Sequence, residues 1–309
     1  MLDLELLHHY LTHTEEIFSE RQDGDLVTRV WRDETPKIAF GSDYVMHGLL
    51  GFSALHKAHT QPEDAPKLRT SAVDHLDRAL VLYRQRGGET SAENANARFL
   101  FTWFVVLFAF AIPPSVPPID AMAELFSLVK GVDAVTADAW FWVSQGPLAP
   151  ILSHGFQPIT RSPGGYHVPE GIDFGVGHLD FMLGVEAMML DDRRTCALAL
   201  AELKPIYDNV LRTQGHSTVG TIVCWPRQDS TAFANLVKRR LPQALVILAY
   251  YCVLLDVLDS RWWVHGWAAR VLRDILGSVG VHWRRWVEWP VQSVLSKELQ
   301  PPDVGDPVV

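Results

Sequence analysis

The sequence predicts an all-α protein, a single helical domain of roughly ten or more helices with one long Gly/Pro-rich loop. Three observations predict it. Apolar residues recur at helical spacing in one segment after another, and no alternation of strand type runs longer than a few residues. A chain of 309 residues that is 48% hydrophobic also has enough apolar material for a sizeable core without disulfides or metals. No internal repeat is evident, so residues 1–296 are read as one domain and 297–309, rich in Pro and Asp, as a frayed, disordered tail.

Taken in order, residues 2–20 place Leu4, Leu7, Leu11 and Phe18 on one helical face, with His8, His9, Glu15 and Glu16 mostly opposite. An irregular segment ends at Pro36. Tyr44 to about His59 reads as a helix of small and apolar residues, stopped by Pro62. Ala65 to Arg86 is amphipathic, with Val73, Leu76, Leu80 and Tyr83 inward and Gly87-Gly88 closing it. Ser91 is the expected N-cap of a long apolar helix that ends at Pro113-Pro114. Pro117-Pro118 opens the next helix, to about Val135, and a short aromatic helix follows from Ala137. The Gly/Pro-rich stretch 155–177 predicts a loop, and a loop of that length inside a compact domain is usually functional, mobile or both. Helices are expected again at His178–Leu190 and Cys196–Gln214. Pro226 breaks the chain, and further helices follow from about Asp229, over Pro242–Leu258, over Arg261–Leu276 and in a Trp-rich terminal segment.

Composition excludes several functions. The formal net charge is −9 and no run of five basic residues occurs, so the surface repels a phosphate backbone and direct nucleic-acid binding is not expected. Cys196, Cys224 and Cys252 are far apart and odd in number, which argues against zinc and against a secreted disulfide framework. No metal and no cofactor is expected. The acidic start, Met1-Leu2-Asp3-Leu4-Glu5, does not resemble a signal peptide. The apolar runs Phe99–Ile112 and Ala244–Leu255 are shorter than the roughly 20 residues a span needs, so no membrane span is expected.

None of the common phosphate, dinucleotide, serine-hydrolase, metalloprotease or paired-cysteine motifs is present. Tryptophan stands out instead: there are 11, concentrated at Trp103, Trp140, Trp142, Trp225 and between Trp262 and Trp289. Clustered aromatic rings on several helices build either a bulky core or a rigid apolar cavity. The candidate ligand-binding residues on the second reading are Phe104, Phe108, Trp140, Trp142, Tyr250, Tyr251, Trp263 and Trp267. Neighbouring His8 and His9 point in different directions along a helix and make a poor chelate. His47 and His56, nine residues apart in an apolar helix, read as hydrogen-bonded core or interface histidines. His154, His167 and His178 bracket the glycine-rich loop, with Glu170, Asp173 and Asp180 nearby. On an enzymatic reading the general acid/base groups are His154, His178, Asp173 and Asp180; the competing reading is an ordinary polar loop. Asp191-Asp192-Arg193-Arg194 reads as a solvated turn with helix-end charge complementarity.

Two stretches carry a family resemblance. One runs from Leu4-Glu5-Leu6-Leu7-His8-His9-Tyr10 through Val30-Trp31-Arg32 and Pro36-Lys37-Ile38-Ala39-Phe40 to Met46-His47-Gly48-Leu49-Leu50-Gly51-Phe52-Ser53-Ala54-Leu55-His56. The other runs from Ala244-Leu245-Val246-Ile247-Leu248-Ala249-Tyr250 through Trp262-Trp263 and Gly266-Trp267 to Trp283-Arg284-Arg285-Trp286 and Trp289-Pro290. Together they resemble the C-terminal, ligand-sensing domain of fungal sterol-uptake control regulators and related zinc-cluster transcription factors. The resemblance implies an all-helical domain that often dimerises and that, in the sterol regulators, holds a sterol in a hydrophobic pocket whose occupancy controls release to the nucleus. Those regulators carry a six-cysteine zinc cluster and a basic linker ahead of the domain. Here the chain begins with Met1 at the start of the resembling domain, and three scattered cysteines cannot build the cluster, so it is expected to be either a piece of a longer regulator or a stand-alone relative that does not bind DNA by that route.

The function expected from the resemblance is therefore a regulatory domain of a fungal transcription regulator that senses a hydrophobic ligand without its own DNA-binding region. The expected partners are an apolar small molecule, sterol-like or of terpenoid or polyketide type, and a second copy or a related regulator. The nucleus, the cytoplasm or both are the expected locations. The alternative is an enzyme of fungal secondary metabolism that cyclises or isomerises a hydrophobic intermediate in the same pocket. A third reading is a protein that heterodimerises with full-length regulators through its helix faces. Fold alone does not separate these.

Overall fold

A computed structural model describes residues 1–18, 25–155, 173–213 and 219–296. Among them the chain is helical throughout, joined by turns, with no strand. The all-α expectation holds.

The N-terminal helix α1 (Leu2–Phe18) lies on a hairpin of two longer helices, α4 (Asp43–Thr60) and α5 (Ala65–Arg86). Between them come α2 (Asp25–Arg29), a π-type turn at Val30–Glu34 and α3 (Thr35–Phe40). This stretch was expected to be irregular. Pro36 does not end it but sits in the first turn of α3, where its missing N–H costs nothing.

Glycine lets α4 approach its neighbours closely. A Cβ at Gly51 would stand 2.5 Å from the Phe108 ring and 3.1 Å from the Ala72 carbonyl, and one at Gly48 3.1 Å from Phe104. Any larger residue would push apart the helices that these rings seal. The aromatic rings belong to α6 (Ala95–Ala111), whose Phe99, Leu100, Phe104 and Phe108 are buried. The helix starts later than Ser91 predicts. Asn94 occupies the N-cap, and its Oδ1 accepts from the Ser91 N–H (2.8 Å), so Ser91 belongs to the preceding turn.

α7 (Pro118–Val143) is one helix where two were expected. Between Gly131 and Gly146 there is no proline or glycine to break it, so the shift in apolar pattern near Val135 rotates the buried face without ending the helix. α8 (Ala149–Gly155) precedes residues 156–172, which lie outside the described residues together with most of the expected loop. The rest of that loop, 173–177, is helical and opens α9 (Asp173–Val185).

α10 (Leu190–Thr213) begins several residues earlier than predicted and takes Asp191 and Asp192 into its first turn, where negative charge suits the exposed backbone N–H groups. After α11 (Val219–Val223) and the break at Pro226 come α12 (Ser230–Lys238) and α13 (Pro242–Asp256). Every residue from Gln243 to Cys252 is buried, so α13 is the central strut, wrapped on all sides. The helix expected from Arg261 instead begins at Trp267, as α14 (Trp267–Ser278). Residues 257–266 make successive tight turns ending at Gly266, whose φ of +73° suits glycine and whose N–H donates to Asp259 Oδ1 (2.7 Å). α15 (Val281–Leu295) packs on α13 and closes the described chain. The expected tail 297–309 lies outside the described residues. Among those described, no helix is long and apolar enough to cross a membrane.

Candidate functional site

The proline pairs that separate α6 from α7 hold open a groove. Pro113-Pro114 cannot continue α6, and Pro118 starts α7, so residues 113–116 cross between the helix ends outside both helices. The resulting cavity measures about 390 Å³ and is lined by Ala109, Ile112, Pro113, Pro114, Ser115 and Val116, by Ala121, Glu124, Leu125 and Leu128 of α7, and by Trp267 of α14. That volume falls at the small end of the range for small-molecule sites. The wall is apolar, with Ser115 and Glu124 as its polar side chains.

Three contacts fix the shape of this groove. Trp267 Nε1 donates to the Phe110 carbonyl (2.8 Å), one of the last carbonyls of α6, and the two rings meet edge to face at 5.5 Å. Asp274 Oδ2 accepts from the Ile119 N–H (3.0 Å), tying α14 to the first turn of α7. Arg240 grips Asp120 through two hydrogen bonds, 2.7 and 2.8 Å, and that contact holds the Asp120 carboxyl below the usual aspartate range. Together these contacts tie α6, α7 and α14 to one another around the groove.

The candidate ligand residues are distributed over the molecule, and the structure does not bring all eight to one cavity. Trp267 lines the groove, and Trp263 backs it, meeting Phe110 edge to face at 5.8 Å. Phe104 and Phe108 are sealed against Gly48 and Gly51. Tyr251 stacks on Trp225 at 4.6 Å and donates its hydroxyl to Ile222 O (3.1 Å). Tyr250 faces Trp289 of α15, with ring centroids 5.3 Å apart. Trp140 is 45% exposed near the end of α7, and Trp142 is half-buried beside Phe141. Sequence reasoning missed the aliphatic wall. The signal that marked it was punctuation, two proline pairs between two apolar helices, rather than aromatic content.

Of the acid/base candidates, the described side chains of His178 and Asp180 do not line the groove. His178 and Asp180 are exposed on α9, and Asp180 pairs with Lys204. His154 lies in α8 and Asp173 opens α9, but their side chains fall outside the described residues, as do His167 and Glu170. The three cysteines are free and buried, and burial pushes the Cys196 and Cys224 thiols up to about 12. Among the described residues, no group of three or more His, Cys, Asp or Glu could hold a metal ion.

The fold and groove define an all-helical domain with a largely apolar recess, and comparison with known proteins finds similarity to fungal regulators. The chain is 25% identical, over 98% of its length, to a Zn(2)-C6 fungal-type transcription factor of Gibberella zeae, of which it covers 64%. It is 29% identical over 45% of its length to Sterol uptake control protein 2 of Candida albicans, covering 19% of that protein. It is 23% identical over 91% of its length to Sterol uptake control protein 2 of Saccharomyces cerevisiae, covering 31%. The chain is thus homologous, over most of its length, to fungal Zn(2)-C6 transcription factors and sterol uptake control proteins, and it spans less than two thirds of each of these three relatives. No family model matches it.

Proposed function

We propose that this chain is a regulatory, ligand-sensing domain of a fungal transcription regulator, and that it takes an apolar small molecule into the groove between α6, α7 and α14. The observation that carries the reading is similarity across nearly the whole chain to a fungal transcription factor, joined by similarity to two sterol uptake control proteins. A sterol-like ligand fits the reading, its apolar body against Ile112, Leu125, Leu128 and Trp267 and a hydroxyl within reach of Ser115 or Glu124. These residues are not themselves the DNA contact. The net charge of −9 opposes phosphate, and the three buried cysteines cannot assemble a six-cysteine cluster. The protein acts in the nucleus, with ligand occupancy setting how it engages a second copy or a related regulator.

A thermal-shift screen of sterols and other apolar metabolites tests this, run on the chain and on Leu128→Trp. Leu128 is half-buried on the groove wall, so the larger side chain fills the recess and leaves the core intact. A binder at a hundred times its Kd stabilises the fold by about 2.7 kcal/mol. That stabilisation is expected for at least one sterol-like compound and should vanish in the variant. No response from the wild type, or an equal response from the filled groove, rejects the site.

A further inference from the structure

Four histidines meet in two pairs at the seam of α1, α4 and α5, and of these the sequence pointed only to His47 and His56 as core or interface residues. His9 Nε2 lies 2.9 Å from His56 Nδ1, buried between α1 and α4. His47 Nδ1 lies 2.9 Å from His75 Nδ1, between α4 and α5, and His75 Nε2 lies 3.7 Å from Asp3 Oδ1 of α1. Each ring-to-ring bond needs one donating and one accepting nitrogen. One added proton preserves the bond but places a charge between packed helices. A second proton leaves two donors facing each other.

The charged surroundings of the two pairs differ. His9 stacks on His13 (centroids 4.3 Å), and the groups acting on the His9–His56 pair are His8 and His13 of α1 and Lys57 and His59 of α4. From the turn before α14 comes the Trp262 ring, 5.2 Å from His56, while the neighbouring Arg261 donates to the Phe18 carbonyl. All these titratable neighbours are basic; among the described residues Glu5 of α1 is spent on Lys57 (3.8 Å). The His47–His75 pair instead faces Asp3 of α1, Asp43 of α4 and Asp74 of α5, beside Arg78; burial lowers both of these rings as well, and the carboxylates oppose it in part.

We propose that the His9–His56 pair makes α1 an acid-releasable cap on the α4–α5 hairpin, while the His47–His75 pair, partly compensated by carboxylates, is the less acid-sensitive side of the same seam. Burial and basic neighbours lower His9 to about 4 and His56 to about 3, from an ordinary 6.5. A histidine with a lowered folded pKa lends its full stability above 6.5 and loses it as pH falls towards the folded value. The constant for undocking α1 therefore rises up to tenfold per pH unit for each of the two rings between pH 6.5 and about 4. Release has consequences for the rest of the domain, because α1 also holds Ser53 Oγ through the Leu6 carbonyl (2.7 Å) and the Trp31 carbonyl through the Tyr10 hydroxyl (2.8 Å).

The test is native-state hydrogen exchange on the full chain at pH 7, 6 and 5, corrected for intrinsic exchange rates. Amides of α1 should lose protection at least tenfold per pH unit below 6.5, ahead of those of α13. The double variant His9→Gln/His56→Asn keeps a donor and an acceptor at the two ring-nitrogen positions without titrating, and should flatten that slope. His75→Asn should leave it in place. Parallel loss of protection in α1 and α13 of the wild type overturns the proposal, whether or not the double variant folds. So does an unchanged slope in the double variant, or a slope abolished by His75→Asn.

Discussion

Two parts of α6's second half face opposite situations. Phe104 and Phe108 press into α4 where Gly48 and Gly51 remove every obstacle, and the rings are wholly consumed by packing. At its last turn, Pro113-Pro114 and Pro118 keep α6 and α7 from closing, and the surface between them remains an open recess floored by Trp267. The same residue class, a large aromatic on an apolar helix, is core in one place and wall in the other. The backbone beside it makes the difference: small residues bring helices together, and prolines hold them apart.

Three measurements break or sharpen that comparison. Phe104→Ala should be the most damaging, destabilising the fold by about 3–5 kcal/mol in chemical denaturation, because a fully enclosed ring leaves a cavity its neighbours cannot fill. A loss under 1 kcal/mol would mean that the α4–α6 contact is looser than it looks. Trp267→Phe keeps most of the ring but strands the Phe110 carbonyl, for an expected loss of about 1–3 kcal/mol. It should also weaken ligand-induced stabilisation, which Phe104→Ala should leave in proportion. Asp120→Asn removes one side of a partly exposed pair with Arg240 and should cost about 1 kcal/mol or less at pH 7. The sign follows from the lowered carboxyl pKa of Asp120: the pair stabilises above the ordinary aspartate pKa of 3.8 and loses its effect as pH falls below it, so wild type and variant should converge in acid.

Much of this was legible in the sequence. Helical spacing identified α1, α4, α5 and α6, and the prolines at 62, 113, 114, 117, 118 and 226 marked breaks the structure keeps. Boundaries failed where a side chain in a turn captures the backbone. Gly266 could have continued a helix from Arg261, but its N–H goes to Asp259 instead, and α14 waits until Trp267. The candidate site was only partly legible. Trp267 was named because it is aromatic, whereas Ala109, Leu125 and Leu128 carry no chemical signal and become a wall only through what stands opposite them.

By itself the sequence determined the all-helical class, the apolar helices of the core and the family resemblance, because periodicity and punctuation are local properties of a chain. Only the tertiary structure decided which aromatics are sealed and which line a recess, and that His9 meets His56 across 47 residues of sequence. Those outcomes depend on how closely backbones approach, and that distance is set jointly by residues far apart in the chain.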